Sequence, residues 1–535
     1  VNTLRIFLQQ VRRDRVNLPI WILGTAALLA VAAQSVGQEY GDEKGRASIL
    51  AVALATPALL ALRGIPNGPS LGSAVHFQSF AFLAVTIGLM NVFLATRHGR
   101  QDEERGRREL VLAGPVARLS PPVATLILGV VANALFVVLA IGGYVSAGVS
   151  SQGAVLSSVA LGMTGLAFLA LSMIAGELMQ TSRGANGVGV VLVLGSYALR
   201  AAGDATGSVD ITKLTLQPGW PSWISPIGWG QQTLAFTDNH WWPVAALAAP
   251  FVVAAAVALV IHSRRELGAS IFVERSGRAT ALPILNSPFA LAWRLQWPTI
   301  IPWATGSALL GLALGSLVTA IAHANFDSPG LAALIQSLGH TSSTSLGTAL
   351  IPVVMVFVGA VAAAAGVQAV LRLREEEAEG RLENLLAEPR SRVSWMLSFA
   401  AVAALTVIIT LGATAVTSGL SFIGTANPDA GWNAAGSALV QIPAALVFVG
   451  VTTLLVGLLP QAAIGLGWGV YGVLLVIGLF AKLLNLPDWL AKVSPISDVP
   501  SVPTHDWVPT IIVAAVAVAA TLIGAAAFRR RDLST

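Results

Sequence analysis

An all-α polytopic membrane protein of about 12 transmembrane helices, arranged as two parallel six-helix repeats, is the fold class that three observations predict. The first is composition. The 535-residue chain is 55% hydrophobic and 11% charged, whereas a soluble protein carries about 25% charged residues. The second is spacing. Apolar runs of about 20 residues recur along the whole length, enough to cross about 30 Å of hydrocarbon. A β-barrel would instead show short alternating segments. The third is a charged phrase that occurs twice between such runs. Residues 106–118 read GRRELVLAGPVAR and residues 380–392 read GRLENLLAEPRSR. At one constant offset Gly106 meets Gly380, Arg107 meets Arg381, Glu109 meets Glu383, Leu112 meets Leu386, Pro115 meets Pro389 and Arg118 meets Arg392. A self-similar phrase of this kind is the signature of an internally duplicated membrane protein.

In chain order, spans are predicted at 18–37, 75–96, 121–147, 155–178, 185–201 and 243–262 in the first half. The second half is predicted to span at 300–322, 349–371, 394–419, 434–458, 461–482 and 508–528. The halves are 1–267 and 286–535, with 268–285 as a linker. Six spans per half is an even number, so the repeat is parallel, with a pseudo-two-fold along the membrane normal. Other matches extend the duplication. Arg12 and Trp21 match Arg294 and Trp303, and Ser225-Pro226-Ile227 matches Ser494-Pro495-Ile496. Arg264-Arg265-Glu266-Leu267 likewise matches Arg530-Arg531-Asp532-Leu533.

Basic residues set the orientation. With both termini cytoplasmic, 24 of the 31 basic residues lie on the inner side, among them Arg5, Arg12, Arg13 and Arg15. The Ala-, Gly-, Val- and Arg-heavy usage suggests a GC-rich bacterial genome, so a bacterial cytoplasmic (inner) membrane protein is expected, and the inward bias accounts for the net charge of +5 without nucleic-acid binding. The first span follows basic residues, as a signal peptide would, but its counterpart at 300–322 lies mid-chain and argues for a retained span. Each half opens with an amphipathic segment: Leu4, Phe7, Leu8 and Val11 in one, and Phe289, Trp293 and Trp297 in the other. Both read as interfacial helices. The apolar stretch 48–62 is short and broken by Pro57, so it reads as an outer or interfacial helix.

Several chemistries are excluded. Cysteine is absent, so no disulfide or thiolate metal site exists. No Gly-Lys dipeptide occurs, so the chain has no phosphate-cradling P-loop. The seven histidines show no ligand spacing, and no Gly-x-Ser-x-Gly elbow stands out. An enzyme is not expected.

The second copy of the phrase, with Glu376 and Glu377 ahead of it, resembles the loop between the second and third spans of ABC-2-type exporter permeases. In that family a short coupling helix docks on a separate ATP-binding subunit. Leu382, Leu385 and Leu386 recur at helical spacing, Pro389 stops the helix, and Arg381 and Glu383 remain as polar contacts. The first copy offers Arg107, Glu109, Leu110 and Pro115. The coupling loops are thus 97–118 and 372–392. They differ in charge: six arginines against four acids in the first, and five against six in the second. Two fused halves resemble the transmembrane subunits of tetronasin- and anthracycline-type antibiotic exporters. The resemblance implies two copies of a separate ATP-binding protein, with ATP and magnesium on that partner, and a hydrophobic small-molecule substrate. It also implies a cavity lined by spans 2, 5, 8 and 11, where Phe80, Met90, Asn91, Tyr197, Met355, Phe357, Trp468 and Tyr471 lie.

Two long outer segments precede the last span of each half, and they carry Trp220, Trp223, Pro226, Trp489 and Pro495. They read either as an aromatic belt or as an outer gate. Asn91, Asn133, Glu177, Gln368 and Gln441 are the sparse polar groups in or near spans, marking a pathway or joining helices. Two other function classes stay open. One is a proton-coupled drug transporter of the major facilitator type, and the other is a non-transporting membrane assembly protein.

Overall fold

The computed structural model describes every residue except 1, 40, 271–286, 324–345, 383–390, 424–427, 481–486, 498, 500, 501, 503–506 and 533–535. The chain forms two compact units, residues 1–277 and 278–535. Among the described residues eleven helices are long and apolar enough to cross a membrane, six in the first unit and five in the second. A shorter apolar helix stands where the eleventh span is predicted. The protein is therefore an all-α polytopic membrane protein.

In the first unit the six long helices are α2 (Asn17–Glu39), α5 (Leu71–His98), α8 (Ser120–Ser146), α9 (Ser151–Leu178), α10 (Ser182–Ala205) and α12 (Trp242–Arg264). Short helices join them: α1 (Asn2–Arg13), α3 (Glu43–Leu54), α4 (Pro57–Arg63), α6 (Arg100–Glu104), α7 (Arg107–Leu112) and α11 (Pro226–Gln231). Side-chain caps set several of the starts, as polar N-caps do generally. Ser70 accepts from the Ser73 amide, and Thr181 accepts from the Gly184 amide. Pro57 is the first residue of α4, so the 48–62 stretch breaks where the sequence expects. The core is apolar and centres on α5, α8 and α9, with Phe80, Phe136, Phe168 and Tyr144 buried in it.

One part of the first unit has no counterpart in the sequence reading. A two-stranded hairpin, β1 (Ser208–Asp210) with β2 (Thr215–Gln217), lies between α10 and α11. Asp210 Oδ1 closes the turn by accepting from the amides of Thr212 and Lys213. At the end of α10 ahead of the hairpin, Arg200 and Asp204 form a fully buried pair at 3.3 Å. Ser222 donates to Asp204 Oδ1 at 2.8 Å, and the Tyr197 ring lies 4.2 Å from the Arg200 guanidinium carbon.

The second unit contains α13 (Pro288–His323), α14 (Leu346–Ala378), α15 (Arg392–Ser421), α16 (Asp429–Leu439), α17 (Ile442–Leu458), α18 (Ala463–Phe480), α19 (Asp488–Ala491) and α20 (Val508–Arg530). Two departures from the sequence reading have backbone causes. The span predicted at 434–458 is interrupted between α16 and α17, where Pro443 cannot donate to the preceding turn. The interfacial segment predicted ahead of 300–322 is continuous with it in α13, although Phe289, Trp293 and Trp297 stay exposed. In the first unit the turn at residues 14–16 separates α1 from α2. Close crossings use small residues. A Cβ on Gly315 would stand 2.1 Å from the Ser421 carbonyl oxygen of α15, and one on Gly457 would stand 2.4 Å from that of Gly524 in α20. Gly465 and Gly469 of α18, four residues apart, have open space at that position.

The matched Ser-Pro-Ile triplets make the same contact in each unit. Ser225 donates to the Ser196 carbonyl of α10 at 2.7 Å, and Ser494 donates to the Leu474 carbonyl of α18 at 2.7 Å. Ile227 and Ile496 are both buried beside them.

Candidate functional site

The doubled phrase begins in both units with a backbone turn that needs glycine. Gly106 has φ +67° and Gly380 has φ +71°, in the left-handed region that side chains resist. In the first unit this turn separates α6 from α7, so the chain leaves the end of α5 and doubles back as a short helix.

Ion pairs hold the turn, and they repeat. Arg107 lies 2.8 Å from Asp102, and Arg381 lies 2.5 Å from Glu376. Arg100 pairs with Glu103 at 2.9 Å, and Arg374 with Glu377 at 3.4 Å. The next contact ties the loop to the last long helix of its unit. Arg265, just past α12, lies 2.7 Å from Glu103; Arg531, just past α20, lies 2.6 Å from Glu377. Arg100 donates to the Gln180 carbonyl, and Arg374 donates to the Pro460 carbonyl. Buried carboxylates at these positions stay paired because an isolated buried charge is costly. Burial works against the Arg265 charge, but hydrogen bonds and charge from Glu103 and Glu177 outweigh it, raising Arg265 above the ordinary arginine value.

The units also differ. In the first, Glu177 of α9 adds a contact to Arg265 at 2.6 Å and one to His262 Nδ1 at 2.8 Å. Phe528 takes the place of His262 in the second unit and lies under the Arg531 guanidinium at 4.7 Å. Arg108, 4% exposed, pairs with Glu103 at 2.5 Å, while its match Leu382 is 1% exposed and packed in the core of its own unit. Ligand atoms of Glu103, Glu177 and His262 lie within 4.8 Å of one another, near enough for one metal ion. Each carboxylate oxygen there already faces a guanidinium or an imidazole, so the cluster reads as an ion-pair network.

Leu110 of α7 is 78% exposed and Glu109 beside it is exposed, as is Pro115. This is an apolar side chain held outward on a charged end by the buried network beneath. Of the second copy, Arg381 is exposed and Leu382 faces inward; Glu383, Leu385, Leu386 and Pro389 lie outside the described residues.

The residues expected in a cavity fall into two sets. Phe80, Met90, Asn91 and Met355 are buried within their units. Asn91 and Asn133 join α5 to α8 by reciprocal amide hydrogen bonds of 3.2 and 2.9 Å, which is helix-joining geometry. Tyr197 is half-buried and donates to the Leu62 carbonyl, and Tyr471 donates to the Ala360 carbonyl at 3.0 Å. Phe357 and Trp468 are exposed on their unit. Of the outer-segment residues, Trp220, Trp223 and Trp489 are exposed, and Pro226 and Pro495 are half-buried. Trp223 stacks on Trp242 with ring centroids 5.7 Å apart.

The sequence reading missed Arg265 as the partner of the first loop and Arg531 as the partner of the second. Arg265 and Arg531 stood in a matched phrase, and Arg100, Asp102 and Glu103 match Arg374, Glu376 and Glu377 at the offset of the doubled loop. Reading the two matches together would have paired the loop with the final helix.

Comparison with known proteins gives two findings. A model of the family described as "Multidrug efflux system permease Rv1217c, C-terminal domain" matches residues 285–529. The chain is also 33% identical to the "Multidrug efflux system permease protein Rv1217c" of Mycobacterium tuberculosis over 536 aligned positions, covering 99% of this chain and 94% of that protein.

Proposed function

The chain belongs to the family of multidrug efflux system permeases represented by Rv1217c, and from that membership we propose that it is the transmembrane subunit of an ATP-driven exporter. In this reading the charged ends face the cytoplasm. The two coupling loops each receive one copy of a separate ATP-binding protein, which carries ATP and magnesium. The cargo is a hydrophobic drug or antibiotic.

The observation that carries the reading is the duplicated loop. Each unit turns through a left-handed glycine, and each anchors its loop through a buried glutamate to the arginine that follows its last helix. A loop that merely signals topology needs charges but no such anchoring. An anchored loop can pass a displacement at its tip to the helix that ends beside it. The absence of a P-loop in the sequence puts nucleotide hydrolysis on another chain.

The test is ATP hydrolysis by purified protein. The permease alone is expected to hydrolyse no ATP above a mock purification, and drug-stimulated hydrolysis is expected when the ATP-binding subunit is co-expressed and co-purifies. Hydrolysis by the permease alone, surviving the mock control, would refute the assignment.

A further inference from the structure

A cavity of about 60 Å³ opens at the charged end of the first unit, between α1, the α6–α7 turn and the start of α8. On the same measure a water molecule needs about 10–15 Å³, so the space takes a larger group. Its wall includes Arg13, Arg107 and Arg108, together with Asp102, His98 and Gln10. The last two are 1% and 6% exposed, and His98 Nδ1 and Gln10 Oε1 have no hydrogen-bond partner. His98 Nε2 lies 2.5 Å from Asp14, so in the neutral ring it carries the hydrogen and Nδ1 is left to accept. Gln10 Nε2 donates to Thr125 at 3.0 Å, which leaves its oxygen to accept. Buried acceptors without a donor carry the full desolvation cost.

The charge around the cavity is unbalanced. Six arginines (13, 97, 100, 107, 108 and 265) share four carboxylates (14, 102, 103 and 177). The Asp102 carboxylate on the wall is shared by Arg13 and Arg107. Among the described residues of the second unit, the corresponding ion pairs join four arginines to four glutamates. The cavity therefore asks for an anion that also brings a hydroxyl donor. On the face of α1 opposite the cavity, Leu4, Leu8 and Val11 are exposed, as on a helix lying at a lipid surface.

We propose that this cavity binds the headgroup of an acidic phospholipid, its phosphodiester held by Arg13 and Arg107 and a headgroup hydroxyl donating to Gln10 Oε1 or His98 Nδ1. The occupant would brace the coupling loop against α1 in the first half only. A free phosphate shares the anionic chemistry but lacks the acyl chains that would hold the headgroup at the lipid surface on which α1 lies.

The full chain, purified in detergent, is titrated with phosphatidylglycerol, with phosphatidylcholine or with inorganic phosphate, and retained lipid is read by native mass spectrometry. Wild type is expected to retain one phosphatidylglycerol in preference to phosphatidylcholine, with inorganic phosphate failing to displace it. Arg13→Gln should weaken retention by at least about tenfold, the scale of a lost charged hydrogen bond. Arg12→Gln removes the same charge from an exposed position on the same helix and should change nothing. Gln10→Leu keeps every charge and should weaken phosphatidylglycerol but spare phosphatidic acid, whose headgroup carries no glycerol. Equal retention of the two phospholipids by wild type, equal weakening by Arg12→Gln and Arg13→Gln, or displacement by inorganic phosphate would each overturn the proposal. The wild-type arm needs no variant to fold.

Discussion

Arg531→Ala is expected to lower the thermal midpoint of the purified protein more than any exposed arginine substitution, and more than Arg265→Ala. The Glu377 side chain is 2% exposed and is held by Arg531 through two hydrogen bonds of 2.6 and 2.8 Å. Breaking a buried pair from one side costs about 3–5 kcal/mol, because the remaining charge stays buried. After the substitution Glu377 keeps Arg374 at 3.4 Å. Glu103 is better supplied, since without Arg265 it still has Arg100 at 2.9 Å and Arg108 at 2.5 Å. Removing both partners should recover much of the loss, because a buried pair replaced by apolar groups is often neutral. The check is the midpoint of unfolding for Arg531→Ala, Arg265→Ala, the double variant Glu377→Leu with Arg531→Met, and exposed Arg264→Ala as control. A wild-type midpoint for Arg531→Ala would show that the pair does not hold the loop.

The second large effect is on assembly. Leu110→Asp should abolish co-purification of the ATP-binding subunit through the first loop while leaving the midpoint of the permease unchanged, because Leu110 is 78% exposed. Covering a leucine at an interface is worth about 1.5–3 kcal/mol, and a buried carboxylate in its place adds a further penalty. Glu109→Ala and Glu383→Ala test the matched acids. Truncating a buried charged partner at an interface costs about 2–5 kcal/mol, and the second copy has the closer family resemblance, so Glu383→Ala should be the more damaging. Wild-type yield of the partner and wild-type efflux in all three variants would return both loops to the status of solvated topology signals.

Much of this fold was legible because its determinants are local. Apolar run length gives the spans, and eleven of the twelve predicted positions hold apolar helical stretches long enough to cross, the one at 434–458 with a break ahead of Pro443. The doubled phrase was legible because its turn needs a glycine with positive φ, a requirement visible at Gly106 and Gly380. What was not legible is non-local. Nothing in the run 434–458 weighs a proline against the pull of apolar length, so the break ahead of Pro443 is a balance that only packing decides. The direction of Leu382 could not be read either. Helical spacing places it on a stripe with Leu385 and Leu386, but spacing does not say which side of the stripe the unit itself covers. The Arg200–Asp204 pair was hidden for a similar reason. Asp204 is one helical turn from Arg200, but Ser222, which completes the pair, comes from 18 residues beyond Asp204 in the chain. The exposed Leu110 and the buried Arg108 invert the usual roles of leucine and arginine, and both follow from where Glu103 sits.

Transport that draws its energy from ATP through a separate subunit docked on the two charged loops is expected to show itself in drug uptake into inside-out proteoliposomes. These contain the permease with or without the ATP-binding subunit, and an ionophore holds the proton gradient at zero. ATP-dependent uptake is expected only when both proteins are present, undiminished by the ionophore. Uptake by the permease alone, driven by an imposed proton gradient and abolished by the ionophore, would contradict it.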